Sequence, residues 1–122
     1  NAARGEPYFH VKNGSTLDVG SYIISSAING TSVFYLDPGT TIITSHPDGI
    51  SSQKVNGKIS SGSIQTNHAV YSSEANYTYT GNHPNQVSGC FETTPDPTTV
   101  FDFTVLNPNG LTLCPLFWPR TR

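Results

Sequence analysis

Val100-Phe101-Asp102-Phe103-Thr104-Val105-Leu106, Asn107-Pro108-Asn109-Gly110 and Leu111-Thr112-Leu113-Cys114 together form the stretch that decides the fold class. Phe101, Phe103 and Val105 alternate with Asp102 and Thr104, the period of two that turns one set of side chains to a core and the other to water. Asn107 to Gly110 supplies a turn, and Leu111 and Leu113 resume the apolar beat. The stretch predicts an antiparallel β-hairpin. Burying each Phe contributes about 1.5 to 3 kcal/mol, enough to make the hairpin a point of condensation for a sheet.

Strand and turn signals recur outward from it, and helix signals do not. Tyr8 to Lys12 ends at Asn13-Gly14, and Leu17 to Ile28 ends at Asn29-Gly30 before Thr31 to Leu36. Both Asn-Gly pairs predict tight hairpin turns. Asp37-Pro38-Gly39 and His46-Pro47-Asp48-Gly49 flank Thr41 to Thr44. A further hairpin is predicted from Ile50 to Ile64 around Asn56-Gly57, projecting or at an edge, because Ile50, Val55, Ile59 and Ile64 offer little to bury. Ala69 to Tyr71 and Ala75 to Thr80 are β-prone. Gly81 to Gln86 and Thr94 to Pro97 read as loops. No repeat of fixed period is evident, and the spacing of the strands predicts an all-β fold, an antiparallel β-sandwich or Greek-key barrel. Residues 1–7 read as a linker-like start and residues 8–122 as a single β domain.

Composition narrows the function classes. Charged residues make up 11% of the 122 positions and the formal net charge is −2, against about 25% charged in an average soluble protein. Six scattered Lys and Arg form no stripe for phosphate, so no nucleic acid partner is expected. No apolar run is long enough for membrane insertion. Cys90 and Cys114 allow one pairing. Bridged, they point to an extracellular history; free, they are two buried thiols.

Chemistry finds little foothold. His10, His46, His68 and His83 are dispersed, so no metal site and no cofactor is expected. No Gly-x-Ser-x-Gly elbow marks a nucleophile, and Asp37, Asp48 and Asp96 are explained as turn formers, so no catalytic residue is assigned. Tyr77 and Tyr79, with Asn82 and His83, form a candidate ligand site. Aromatic rings stack on the apolar face of a sugar while amides bond its hydroxyls. The competing reading makes Tyr77 and Tyr79 core partners on one face of a strand. In the tail, Leu116, Phe117 and Trp118 cannot all face one sheet surface, and Phe117 and Trp118 are the candidate interface residues.

The Ser, Thr and Asn texture of strands and turns, the linker-like start, and the run from Thr98-Thr99-Val100-Phe101-Asp102-Phe103 to Pro115-Leu116-Phe117-Trp118-Pro119-Arg120-Thr121-Arg122 resemble the protruding domain of small non-enveloped RNA virus capsid proteins, shrimp and prawn nodaviruses in particular. The resemblance spans the chain but contains no diagnostic motif, and no site residue is carried over from it. It implies a β-sandwich or barrel on the virion surface, forming a homodimeric spike that attaches to a host receptor or glycan without enzymatic activity. The alternative is a bacterial fimbrial lectin or carbohydrate-binding module, extracellular on a bacterial surface. A small secreted hydrolase would need a clustered nucleophile and base that the sequence does not display.

Overall fold

The computed structural model describes residues 8–25, 32–94 and 102–114. Among them the chain forms β1 (Tyr8–Val11), β2 (Thr16–Gly20), β3 (Ile24–Ser25), β4 (Val33–Leu36), β5 (Thr41–Thr44), β6 (Lys54–Val55), β7 (Lys58–Ile59), β8 (Ile64–Gln65), β9 (His68–Ser72), β10 (Asn76–Tyr79), β11 (Thr93–Thr94) and β12 (Asp102–Val105). No described residue is helical.

Strands adjacent in sequence do not pair, with one exception. One sheet has the order β1-β4-β9-β11 and a second β12-β10-β5-β2, and every pairing in both is parallel. Tyr8 lies opposite Val33 and Thr16 opposite Thr41, each a step of 25 residues. The next steps are 35 residues, from Val33 to His68 and from Thr41 to Asn76. The chain therefore circulates, laying one strand on each side before returning one layer further along. This is a short parallel β-helix.

A third side completes each circuit. Its ladder runs from Ile24 N–H to the Ser63 carbonyl, Ile64 N–H to Ile50, Ile50 N–H to Ser88 and Ser88 N–H to Thr112, with N···O distances of 2.8 to 3.1 Å. Residues 49–51 and 63–65 both lie on this side, so it receives one more pass than the others. That extra pass explains why the second circuit is ten residues longer than the first.

An antiparallel sandwich or Greek-key barrel is thus not the fold of this chain. Within the predicted Val100 to Cys114 hairpin, the described residues 102–114 do not pair with one another either. Asp102 to Val105 pairs in parallel with Asn76 to Tyr79, and Thr112 forms a parallel bridge with Val87. Asn107 to Gly110 is a corner between two sides of the helix. Asn13-Gly14 is also a corner, while Asn29-Gly30 and Phe101 lie outside the described residues. A corner and a hairpin demand the same local chemistry: a backbone reversal with φ > 0 at Gly, between strands of alternating polarity. Whether the strand then pairs with its sequence neighbour or with a strand a full circuit away is settled by distant partners.

A structural repeat does exist. His46-Pro47-Asp48-Gly49, His83-Pro84-Asn85-Gln86 and Asn107-Pro108-Asn109-Gly110 occupy equivalent corners. In each, the side chain of the first residue accepts the N–H two residues on: His46 Nδ1 from Asp48 at 3.0 Å, His83 Nδ1 from Asn85 at 3.0 Å, and Asn107 Oδ1 from Asn109 at 2.8 Å. The corners also bond along the axis. Asn107 Nδ2 donates to the His83 carbonyl and to Gln86 Oε1, and Gln86 Nε2 donates to the His46 carbonyl.

The interior is filled by stacked side chains. Val11, Leu36, Tyr71 and Thr93 are in register on the first side, and Leu17, Ile42, Tyr77 and Phe103 on the second. Tyr71 and Tyr77 both pack against Phe91, with ring centroids 4.9 and 5.1 Å apart. The Tyr77 hydroxyl donates to the Ser72 carbonyl at 2.6 Å, and Tyr71 bonds Ser51. No described buried side-chain N or O atom lacks a partner, so the polar interior carries little desolvation penalty.

Candidate functional site

The hairpin predicted around Asn56-Gly57 is present, as the shorter antiparallel pair β6 and β7, with Lys54 opposite Ile59 and Val55 opposite Lys58. Asn56 and Gly57 have φ of 54° and 79°, the positive pair that a type I′ turn requires. The flanking isoleucines are not idle, contrary to the sequence expectation: Ile50, Ile59 and Ile64 are buried, and of the four only Val55 is exposed. They bury because the extra pass carries Ile50 and Ile64 into the helix interior.

The neck of the hairpin is cinched. Ser52 N–H donates to the Ser61 carbonyl at 3.0 Å, and Ser52 Oγ accepts from the N–H groups of Ser60 and Ser61 at 3.3 and 3.2 Å. At its base Ile59 N–H donates to the Thr66 carbonyl at 3.1 Å. Alternation then sends Lys54 and Ile59 to one face of the hairpin and Val55 to the other.

A groove lies on each side. The first, about 540 Å³, has an apolar floor of Val55, Val87, Leu113 and the cystine, rimmed by Ser52, Gln53, Ser60, Ser61, Thr112 and Asp48. The second, about 380 Å³, is lined by Gln53, Lys54, Ile59, Ala69, Tyr71, Phe91 and Glu92, again with Cys90. The Cys90–Cys114 disulfide, Cα atoms 5.3 Å apart, joins the last two circuits and walls the first groove. Lys54 Nζ donates to His68 Nδ1 at 2.7 Å beside the second groove. Tyr71 lines that groove from below with its hydroxyl bonded to Ser51, and burial pushes its phenol well above the ordinary range against the smaller opposing effect of that bond.

The aromatic site predicted from sequence does not assemble. Tyr77 and Tyr79 have no exposed surface, because they continue the inward columns of Ile42 and Thr44, and their ring faces pack on Phe91 and Phe103. Asn82 and His83 are exposed at a corner, the Asn82 carbonyl accepting from Asn109 Nδ2 at 2.7 Å. Phe117 and Trp118 lie outside the described residues. The grooves went unrecognised because Ser52, Gln53, Ser60 and Ser61 look like ordinary polar loop residues. The one signal for them was the projecting Asn56-Gly57 hairpin itself.

Fold and site together define a class: a parallel β-helix carrying an inserted hairpin, with an open groove on each of its faces. Beyond that class no particular relative emerges, since the chain matches no family model, no curated protein and no solved structure.

Proposed function

We propose that this chain is a non-enzymatic attachment module that binds a neutral glycan of a host or cell surface beside the β6–β7 hairpin. The observation that carries the reading is the first groove, whose largely apolar lining of Val55, Val87, Leu113 and the cystine is bordered by Gln53, Ser60, Ser61 and Thr112 and by the Asp48 carboxylate. Uncharged donors and acceptors suit sugar hydroxyls, and an apolar floor suits the C–H face of a pyranose. A stiff stacked scaffold supports this use, since a groove held by strands loses less entropy on binding than one built from mobile loops.

The setting we propose is a virion, with the module displayed as a capsid protruding domain. That rests on the sequence texture it shares with nodavirus-like protruding domains, not on their fold. Display in many copies would let a weak single contact give useful avidity. The second reading, a fimbrial lectin or carbohydrate-binding module, draws on the same groove and differs only in where the chain is displayed.

A glycan array probed with the labelled chain tests the binding. Val55→Asp and Gln53→Ala are expected to lower affinity for the bound glycan at least tenfold with the melting temperature retained. Absence of any glycan signal, or binding that ignores both substitutions, would overturn the reading. A shell-forming sequence with a basic arm encoded ahead of Asn1 would favour the virion setting, and a secretion signal there would favour the lectin.

A further inference from the structure

Three Asn-Gly pairs lie within the described residues, Asn13-Gly14, Asn56-Gly57 and Asn109-Gly110, and all three asparagines are exposed. Each of the three glycines faces open space where a Cβ would stand. An Asn followed by Gly can react with itself, because the next backbone nitrogen closes a five-membered ring on the side-chain amide carbon and glycine has no Cβ to hinder it. Exposure and room are therefore common to all three pairs.

Hydrogen bonding separates them. Asn13 Nδ2 donates to the Pro38 carbonyl at 2.6 Å, and Gly14 N–H donates to the Gly39 carbonyl at 3.3 Å. Asn109 Nδ2 donates to the Asn82 carbonyl at 2.7 Å, and Gly110 N–H donates to the Asn107 carbonyl at 3.0 Å. At both corners the amide that would be attacked and the nitrogen that would attack it are each committed to a partner. At Asn56-Gly57 neither group has a partner among the described residues. This pair also sits at the tip of β6 and β7, which exchange only two residue pairs, and a two-stranded ribbon of that length opens at little cost.

We propose that Asn56 is a self-modifying site, where the neutral amide is replaced by a carboxylate through attack by Gly57. The Gly57 nitrogen bonds to Asn56 Cγ, the Cγ–Nδ2 bond breaks, and Nδ2 leaves as ammonia with the proton that Gly57 gives up. Water then opens the cyclic imide at either of its carbonyls, and the new carboxyl group sheds its proton to solvent. Opening at Cγ leaves aspartate. Opening at the main-chain carbonyl leaves isoaspartate, with the chain routed through Cβ and Cγ. Either product adds one negative charge to a formal net charge of −2, at the tip of the wall the two grooves share, where Val55 lines one and Lys54 the other. Isoaspartate also lengthens the main chain by one carbon, which a two-residue turn does not accommodate, so β6 and β7 are driven apart. The inference goes beyond the attachment reading, since the reaction needs no ligand.

Peptide mapping by mass spectrometry of the intact chain, held at mildly alkaline pH and sampled over time, tests this. Aspartate and isoaspartate are expected to form at Asn56 at least tenfold faster than at Asn13 or Asn109, since each corner must first break two hydrogen bonds. In denaturant with the disulfide reduced, the three rates are expected to converge, because the dipeptide is the same and only the fold tells the sites apart. In Asn56→Gln no acid is expected at position 56 over the same interval, because the longer side chain closes a six-membered ring far more slowly. Conversion in the folded chain that is led by Asn13 or Asn109, equal rates at the three sites, the same margin persisting in denaturant, or acid forming as fast from Gln as from Asn would overturn the proposal. The mapping uses no glycan, so an empty glycan array leaves its result standing.

Discussion

The Tyr79 hydroxyl donates to the Ser88 carbonyl at 3.0 Å, tying the second side of the β-helix to the third through its interior. Tyr71 and Tyr77 are likewise buried and hydrogen-bonded. Burial raises all three phenols well above their ordinary value, and for Tyr77 and Tyr79 the neighbouring phenols push the same way.

Alkaline pH is therefore expected to unfold the protein steeply. A phenol raised in the folded state leaves stability intact below its unfolded value near pH 10 and removes it progressively above, because only the unfolded chain ionises. Three such groups together give a loss of about 4 kcal/mol per pH unit above pH 10. Denaturant titrations from pH 9 to 11.5 should show this, with tyrosinate absorbance rising together with loss of structure. In Tyr79→Phe the slope should fall by about one third. At neutral pH that variant should lose only about 1 kcal/mol, since the Ser88 carbonyl still accepts from Ile50 N–H.

Reduction of Cys90–Cys114 is expected to loosen the last circuit. The bond spans a sequence separation of 24, for which loop closure is worth about 3.5 kcal/mol. The Cys90→Ala/Cys114→Ala chain should melt on the order of 10 °C lower by calorimetry. An unchanged melting temperature would show that stacking alone holds residues 102–114.

Three glycines differ in kind from the others, and the tightest is Gly49, φ +79°, where a Cβ would lie 2.3 Å from the Ser88 carbonyl oxygen. Gly89 has φ +88°, and a Cβ there would lie 2.5 Å from the Ser51 carbonyl oxygen; at Gly62, φ +98°, it would lie 2.7 Å from that of Ile50. Gly110 shares the positive φ but faces open space. Gly110→Ala should cost about 1 kcal/mol for its backbone conformation alone, and Gly89→Ala about 3 kcal/mol or more. Chemical denaturation of the two variants side by side measures the difference.

The axial amide ladder predicts a further loss. Asn107→Ala would leave Gln86 Oε1 and the His83 carbonyl without the Asn107 Nδ2 donor, in a corner where Gln86 is only 1% exposed. A destabilisation of about 2 kcal/mol is expected. Asn107→Asp should be no better, because a carboxylate cannot donate to either oxygen.

Much of the local structure was legible in the residues. Period-two alternation located most of the strands, and Asn-Gly and Pro-Gly pairs located the reversals, including the Asn56-Gly57 hairpin with its positive φ pair. The geometry of Cys90 and Cys114 closed one alternative that the sequence left open. The aromatic site failed because Tyr77 and Tyr79 have the same spacing whether their face is turned to a ligand or to the core. The recurrence of His-Pro-Asp-Gly, His-Pro-Asn-Gln and Asn-Pro-Asn-Gly was the one written trace of the circuits, blurred by the extra pass through residues 49–65.

The sequence by itself determined that this is an all-β chain with uncharged polar surfaces and turns at defined places, because alternation and turn chemistry act within a few residues. Only the tertiary structure decided that the strands pair in parallel with partners 22 to 40 residues away, and that a groove opens on each face of one inserted hairpin. Pairing across a circuit depends on which side chains stack in a shared interior, such as Leu17, Ile42, Tyr77 and Phe103, and no local signal distinguishes that stack from the inner face of a sandwich.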